Sequence, residues 1–148
     1  MTTIAIHQPN YLPWMGFFYK IARADKFVFL DDVQFSKNNL TNRVKILRQE
    51  KAKWLTQAVS YNFGDAINQV AFAKPDWINS HLDLLKGAYQ HSPQFKAVWP
   101  DIDKLYRDLP SGDLATGNAA IVIRICALLD LKTEFFFSSA LNVNGVKG

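Results

Sequence analysis

The chain has 148 residues, a formal net charge of +4 and a single cysteine, with 49% apolar and 20% charged residues. This length predicts one domain with a sizeable core, and the composition excludes a disordered chain. No apolar run approaches the ~18–20 residues that span a bilayer, and prolines interrupt the N-terminus too early for a signal peptide. We therefore expect a cytoplasmic protein without a membrane span, whose basic charge favours an anionic ligand.

The N-terminal third predicts two strands joined by a helix. Residues 4–6 form a short apolar run, residues 14–24 carry apolar side chains at helical spacing, and residues 27–30 are apolar throughout. A continuous apolar run is typical of a strand covered on both faces. Three further strands are predicted at residues 43–47, 54–59 and 69–72, and the last two are expected to pair around the turn at residues 62–65.

Helices dominate the second half of the predicted fold. Asp76 is a plausible N-cap for a helix over residues 77–89. A second helix begins at residue 92 and is expected to break or restart at Pro100, and a third covers residues 113–129. Residues 133–138 form another buried-strand pattern, after which only a short tail follows.

This order of elements predicts an α/β fold. We expect an open, mostly parallel, Rossmann-like sheet flanked by helices, with a small antiparallel insertion near residues 43–73. Residues 1–148 then form a single domain. A final strand followed by a bare tail leaves one face of the sheet without its covering helix, so we also expect that a C-terminal portion is missing.

Polar side chains follow the first two strands. His7 leaves the first strand, and Asp31 and Asp32 leave the second. If these strands are parallel, all three residues lie at the sheet edge where open α/β folds bind ligands. His7 suits proton transfer, and either acid could hold a metal, bind a ribose hydroxyl or orient His7; capping of the next turn is an equally good explanation. These three are the candidate catalytic residues.

The loops after these strands supply candidate binding residues. The first offers Gln8 and Asn10 as neutral hydrogen-bonding groups and Tyr11 as a ring face, although a turn at Asn10 and packing of Tyr11 are structural alternatives. The second offers Lys37 and Arg43, and an arginine can bind phosphate or carboxylate with two parallel hydrogen bonds. The candidate binding set is Gln8, Asn10, Tyr11, Gln34, Lys37, Asn42 and Arg43.

Other reactive residue types carry weaker signals. His81 is expected to be packed or at the surface, His91 to complement a helix C-terminus, and Cys126 to be a buried, unreactive thiol. Trp14 is expected to staple the first helix to the sheet. No metal-ligand spacing, Walker loop, glycine-rich dinucleotide turn or nucleophile elbow occurs, so the sequence predicts no metal site and identifies no cofactor.

Several segments together resemble the WbqC-like family. They are residues 6–21 (IHQPNYLPWMGFFYKI), 29–37 (FLDDVQFSK), 42–43 (NR) and 54–56 (WLT). The resemblance is strong over residues 4–61 and looser up to residue 139. Members are typically longer, which again implies a missing C-terminal part. The chain departs from the family pattern at Gln57 and Ala58, where a valine–proline pair is expected.

The resemblance implies a transferase-type role in bacterial surface polysaccharide synthesis, O-antigen especially. The substrate it implies is a nucleotide-activated or amino sugar, with transfer of an amino acid such as glycine as one form of the reaction. The motif positions that it singles out are Gln8-Pro9, Asp31-Asp32, Gln34, Lys37 and Arg43.

A more remote likeness is to nucleotidylyltransferases, which also open with a strand, a Gln-Pro turn and a helix. Their His-x-Gly-His signature is absent, because Leu12, Pro13 and Trp14 occupy the comparable place. The likeness therefore supports the fold and not the mechanism.

Three functions follow, in order of preference. The first is the transferase with a nucleotide-sugar or another anionic small molecule as its ligand. The second is a non-catalytic nucleotide-binding or assembly component, for which aromatic surface exposed by a missing part would favour a homo-oligomer. The third and least favoured is nucleic-acid binding, which rests on net charge and the basic residues between Lys37 and Lys53.

Overall fold

The computed structural model describes residues 1–74 and 76–141, so the tail at residues 142–148 lies outside the described residues. A parallel sheet of three strands has the order β1 (Ile4–His7), β2 (Lys26–Phe29) and β7 (Glu134–Phe137). Helix α1 (Met15–Ala22) connects β1 to β2. The prediction that the first two strands are adjacent and parallel is confirmed. The segments that follow β1 and β2 therefore leave the sheet at the same edge.

Helices pack on one face of this sheet. Because side chains alternate along a strand, Phe27 and Phe29 face α1 and α4 (Leu114–Leu128), and together they form an apolar cluster. On the other face Ile4 and Ile6 are 58% and 55% exposed. The second face of β1 is thus exposed in the described structure, whereas β2, predicted to be covered on both faces, is buried at Phe27, Val28 and Phe29. Val28 is nevertheless buried on that second face, because its own strand lies between two others.

An antiparallel hairpin and a smaller strand pair lie between β2 and the helices. The hairpin pairs β3 (Arg43–Arg48) with β4 (Lys51–Thr56), and the smaller pair joins β5 (Val59–Ser60) to β6 (Ala71–Phe72). The insertion predicted near residues 43–73 is confirmed. The predicted pairing of residues 54–59 with residues 69–72 is wrong for residues 54–56, which pair with β3 instead.

The hairpin turn explains this difference. Gln49 and Glu50 both have positive φ, 50° and 59°, the backbone of a type I′ turn. Such turns favour glycine and asparagine, neither of which is present here. The sequence therefore carries no local signal for the hairpin, and cross-strand packing has to stabilise it.

Three further helices complete the mixed α/β fold of the described residues: α2 (Trp77–Tyr89), α3 (Phe95–Arg107) and α4. Contrary to prediction, α3 continues through Pro100. Pro100 is exposed, so the carbonyl that it leaves without an N–H partner faces water, while Leu105 and Tyr106 anchor the helix in the core. A Rossmann-like arrangement stays a prediction.

Helix α4 is the element around which the core is built. It supplies Ile121 to the cluster with α2, α3 and the hairpin, Val122 and Cys126 to the cluster under the sheet, and Leu114 to a third cluster. Burial raises the pKa of the Cys126 thiol to about 11, which confirms a buried thiol that is protonated at neutral pH.

Asn118 on α4 connects this core to two loops. Its side chain is fully buried, and its Nδ2 donates hydrogen bonds to the carbonyl oxygens of Pro9, at 2.9 Å, and Thr41, at 2.6 Å. Both loops carry candidate binding residues. One side-chain amide therefore fixes the loop after β1 against the loop before β3.

A buried chain of hydrogen bonds fixes the first loop against the helices. His81 Nε2 lies 3.1 Å from the Thr56 carbonyl oxygen and therefore carries the proton, so Nδ1 accepts from the Tyr11 hydroxyl at 2.7 Å. Tyr106 then donates to the Tyr11 oxygen at 2.5 Å. Burial lowers the pKa of His81, although the hydrogen bond to Thr56 raises it in part. His81 is therefore neutral in the folded protein at pH 7, and it is packed, which is one of the two alternatives raised from the sequence.

We predict that Asn118→Asp destabilises the protein strongly. The carboxylate has the shape of the amide but no N–H to donate, so two buried carbonyl groups lose their partners at about 1–3 kcal/mol each. Urea unfolding should show a free energy lower by at least ~2 kcal/mol. Arg124→Ala, at an exposed position of the same helix, should change it by less than ~0.5 kcal/mol. Equal unfolding midpoints for the two variants would contradict this role of Asn118.

We also predict that the protein loses stability between pH 7 and pH 5. The folded pKa of His81 lies below its ordinary value, so the unfolded chain binds the proton first and stability falls as the pH drops below ~6.5. The slope should approach ~1.4 kcal/mol per pH unit at most. His81→Asn, although less stable at pH 7, should have a flatter profile in thermal unfolding. An unchanged pH profile in this variant would assign the acid sensitivity elsewhere.

Candidate functional site

His7 lies at the end of β1 with one ring nitrogen free for chemistry. Its Nδ1 is 3.0 Å from the Gln8 carbonyl oxygen and therefore carries the proton, which makes Nε2 the acceptor. The ring packs edge-on against Phe17, with centroids 4.9 Å apart, and Trp14, at 6.2 Å. Nε2 has no hydrogen-bond partner among residues 1–74 and 76–141. A half-buried imidazole held in this tautomer is suited to accept a proton from a ligand.

Asp31 lies beyond the end of β2 and is enclosed by the end of β7. Its Oδ1 accepts from the Ser138 hydroxyl and the Ser139 N–H, both at 3.0 Å, and its Oδ2 accepts from the Ser139 hydroxyl at 2.6 Å and from Asn68 Nδ2 at 3.3 Å. The backbone N–H of Asp31 also donates to the Ser138 oxygen. The alternative raised from the sequence, a cap on the turn that follows, is wrong for Asp31, whose carboxylate instead accepts hydrogen bonds from the turn after β7.

These contacts decide the chemistry of Asp31. Burial raises its pKa, but the hydrogen bonds from Ser139, Ser138 and Asn68 outweigh burial and hold the pKa below its ordinary value. A carboxylate with four donors around it is a poor proton acceptor near neutral pH. Asp32 is exposed, and its Oδ1 lies 2.5 Å from the Ser138 hydroxyl. In the described structure no hydrogen bond joins either acid to His7.

The binding residues predicted in the first loop are largely buried. Tyr11 is 1% exposed and its hydroxyl lies in the chain with His81, so the structure places it in the core, the alternative raised from the sequence, and not in an open crevice. Asn10 is 4% exposed. Gln8 is half-buried and accepts from the Thr41 hydroxyl at 3.5 Å. These residues shape the edge of the sheet more than they present ring faces to a ligand.

The predicted basic loop divides into two parts. Lys37 and Gln34 are exposed, and the backbone of Gln34 forms an isolated antiparallel β-bridge with Ala66. Arg43 begins β3 and stacks on Trp54, with its guanidinium carbon 4.0 Å from the centre of the indole. Arg43 is half-buried, and its Nε is buried without a hydrogen-bond partner in the described ranges. A cation held on an aromatic face in this way suits contact with an anion.

Three buried amides lie directly behind these loops. Asn42 donates to the Gln57 carbonyl oxygen at 3.2 Å, and the Gln57 N–H donates to the Asn42 carbonyl oxygen at 2.8 Å. Asn42 Oδ1, Asn118 Oδ1 and both polar atoms of the Gln57 side chain are buried without a protein partner in the described ranges. Buried amides are normally paired with protein or ordered water, so this region of the interior is unusually polar.

Four features of this site were missed by sequence reasoning: Asn118, the Ser138–Ser139 pair, Asn68 and the Arg43–Trp54 stack. An asparagine in the middle of an apolar helix was a usable signal for Asn118, because a buried amide needs partners. The others depend on contacts between distant segments, and no local pattern marks them.

No helix in the described ranges is both long and apolar enough to cross a bilayer. Within the same ranges no group of three or more His, Cys, Asp or Glu side chains is arranged to hold a metal ion.

Comparison with known proteins identifies relatives but no activity. The sequence profile of the WbqC-like protein family matches residues 8–148. The uncharacterized protein Rv1507c of Mycobacterium tuberculosis is 29% identical over 136 residues, which cover 90% of this chain and 59% of that protein. The chain thus spans about three-fifths of the relative that it matches. No solved structure matches the chain.

We predict that Asp31→Asn destabilises the protein by about 2–4 kcal/mol. The amide replaces one acceptor oxygen by an NH₂ group facing donors, and hydrogen bonds to a charged group contribute roughly 1.5–3 kcal/mol each. Asp32→Asn is the matched control at an exposed neighbouring position and should cost less than ~1 kcal/mol. Urea denaturation of both variants measures the difference. Similar costs would show that the β2 and β7 ends do not depend on this carboxylate.

Proposed function

Because the chain belongs to the WbqC-like protein family, we propose that it takes part in bacterial surface polysaccharide synthesis, O-antigen in particular. In this proposal it acts in a transferase-type reaction on a nucleotide-activated or amino sugar. The ligand is an anionic small molecule bound at the edge of the parallel sheet. Since the chain spans 59% of its relative, the activity of the longer protein is part of the same proposal.

The uncommitted Nε2 of His7 is the observation that carries this proposal. His7 lies at the strand edge where open α/β sheets bind ligands, and its neighbour Gln8 fixes the tautomer that leaves a basic nitrogen available. Its ring lies beside Trp14 at the beginning of α1, where unpaired N–H groups favour an anion. A base next to an anion-binding position matches the needs of sugar modification.

The roles of the remaining residues follow from their contacts. Arg43 and Lys37 bind the anionic part of the ligand, since no carboxylate in the described structure lies within ion-pair distance of either. Asp31 holds the ends of β2 and β7 together and is assigned no proton transfer. Asp32 is exposed at the same edge and is available for a hydroxyl of the sugar.

A non-catalytic, nucleotide-binding role is the second candidate. The engaged carboxylate of Asp31 favours it, because one of the predicted acid–base groups is used in structure. If this role is correct, the protein binds nucleotide-sugars without turning them over, and substitution of His7 leaves the affinity unchanged.

We predict that Arg43→Ala weakens the binding of nucleotide-sugars at least tenfold, because it removes a bidentate contact of more than ~1.4 kcal/mol. Arg48→Ala, at the exposed far end of the same strand, should leave affinity within about twofold. We expect His7→Gln to keep the affinity for nucleotide-sugars but to lower their turnover by about 10²–10⁴-fold.

Calorimetry measures binding in each variant, and mass spectrometry of the sugar nucleotide measures turnover. Equal affinity in wild type and Arg43→Ala would remove Arg43 from the site, and binding without turnover would leave the second candidate.

A further inference from the structure

A groove next to the proposed site is lined by two exposed tryptophan side chains and a lysine. A cavity of about 330 Å³ lies between the loop that follows β1 and the β3–β4 hairpin, and its lining includes Trp14, Leu40, Lys45 and Trp54. This volume is in the lower range of small-molecule sites. Trp14 is 55% exposed and Trp54 is 45% exposed. Exposed indoles on the walls of one cavity mark it as a candidate ligand site.

The hairpin register places a positive charge directly beside one of these indoles. Lys45 pairs with Trp54 across the hairpin, and Arg43 lies two residues away on the same face. The Lys45 ammonium is 5.0 Å from the centre of the indole, and the Arg43 guanidinium is 4.0 Å from it. Both cations therefore lie against the same aromatic ring, although two like charges brought together in this way repel each other.

Within residues 1–74 and 76–141, no acidic side chain forms an ion pair with these cations. Among the described residues the salt bridges involve Lys104, Arg107 and Lys132, not the hairpin. The hairpin carries five basic residues, and Glu50 in the turn is its single acid. The Trp54 ring stabilises the two cations in part, and a bound anion would stabilise them further.

The first loop forms the opposite wall and is rigidly held. Its backbone is fixed by Asn118 at Pro9 and by the Tyr11 N–H, which donates to the Leu40 carbonyl oxygen at 3.0 Å. The indole of Trp14 packs across Gly16, where an added Cβ would lie 2.6 Å from Nε1. The groove is thus preformed, which lowers the entropy lost when a ligand binds.

We infer that this groove binds a ring that carries a phosphate group. The ring stacks on the exposed indoles of Trp14 and Trp54, and Lys45 in the groove lining holds the phosphate. Arg43 does not line the groove, and it adds positive charge from its position on the Trp54 ring. A nucleoside phosphate and a sugar phosphate share this chemistry, since a base presents a π face and a pyranose an apolar C–H face. The inference rests on the proposed function for the identity of the ligand, a nucleotide-activated sugar, and it places one part of that ligand.

The test measures the binding of three probes to the full chain. Uridine monophosphate, glucose 1-phosphate and inorganic phosphate are titrated by calorimetry into wild type, Lys45→Gln and Trp54→Leu. Lys53→Gln is the matched control, because it removes the same charge from the opposite face of the same hairpin. Thermal unfolding of each variant checks that the fold is retained, and Lys45→Gln, an exposed polar exchange, tests the site even where Trp54→Leu is unstable.

Lys45→Gln should weaken the binding of all three probes about tenfold, whereas Lys53→Gln should change it less than twofold. Trp54→Leu should weaken the binding of a stacked base by roughly 5- to 150-fold and leave inorganic phosphate unchanged. If Trp54→Leu weakens only the binding of uridine monophosphate, the groove holds the base. If it weakens only the binding of glucose 1-phosphate, the groove holds the sugar. Equal losses in Lys45→Gln and Lys53→Gln, or no binding of any probe, would overturn the inference.

This outcome is separable from that of the proposed function. If nucleotide-sugars are turned over with an unchanged KM in Lys45→Gln and Trp54→Leu, the groove is wrong and the proposed function stands. If the probes bind in the groove but no nucleotide-sugar is modified, the groove stands and the transferase is wrong.

Discussion

The buried amide of Asn118 is the constraint on which the geometry of the candidate site depends. It lies in the middle of α4, the helix that contributes to every apolar cluster of the described core. From there it donates to the carbonyl oxygens of Pro9 and Thr41. Because both loops leave different elements, nothing local sets the distance between them. The Asn118 side chain is therefore the buried link between the end of β1 and the start of β3, and the hydrogen bond from the Tyr11 N–H to the Leu40 carbonyl oxygen supports it.

Much of the polar chemistry near the sheet edge is used to hold the fold together. Asp31 joins β2 to the turn after β7, and Tyr11 joins the first loop to α2 and α3 through His81 and Tyr106. A buried polar group that is fully paired fixes geometry, and it has little capacity left for a ligand. His7 differs because one of its nitrogens stays uncommitted in the described structure. This difference distinguishes the positioning groups from the reactive one.

The β3–β4 hairpin has the opposite character. Lys45 is exposed and Arg43 half-buried, both lie near the Trp54 indole, and no ion pair joins either to a carboxylate among the described residues. Uncompensated charge of this kind disfavours the compact state, so a structure retains it most readily where an anion binds. The neutral first loop and the basic hairpin thus form two unlike walls of one groove. Such a groove can bind the apolar and the charged part of the same molecule.

Local patterns in the sequence determined helices α1, α2 and α4, the parallel strands and the position of His7, Asp31 and Asp32 at one edge. They did so because periodicity and strand ends are properties of neighbouring residues. They wrongly predicted a break in α3 at Pro100. The tertiary structure alone decided which of these side chains are free. Asp31 is paired with residues 107 and 108 positions away, and Asn118 with a residue 77 positions away. The turn at Gln49 and Glu50 could not be predicted for the same reason. Neither residue type favours its positive φ, so contacts between the two strands have to stabilise the turn. Hydrogen bonds between distant segments leave no periodic trace in the chain, so only the folded structure reveals them.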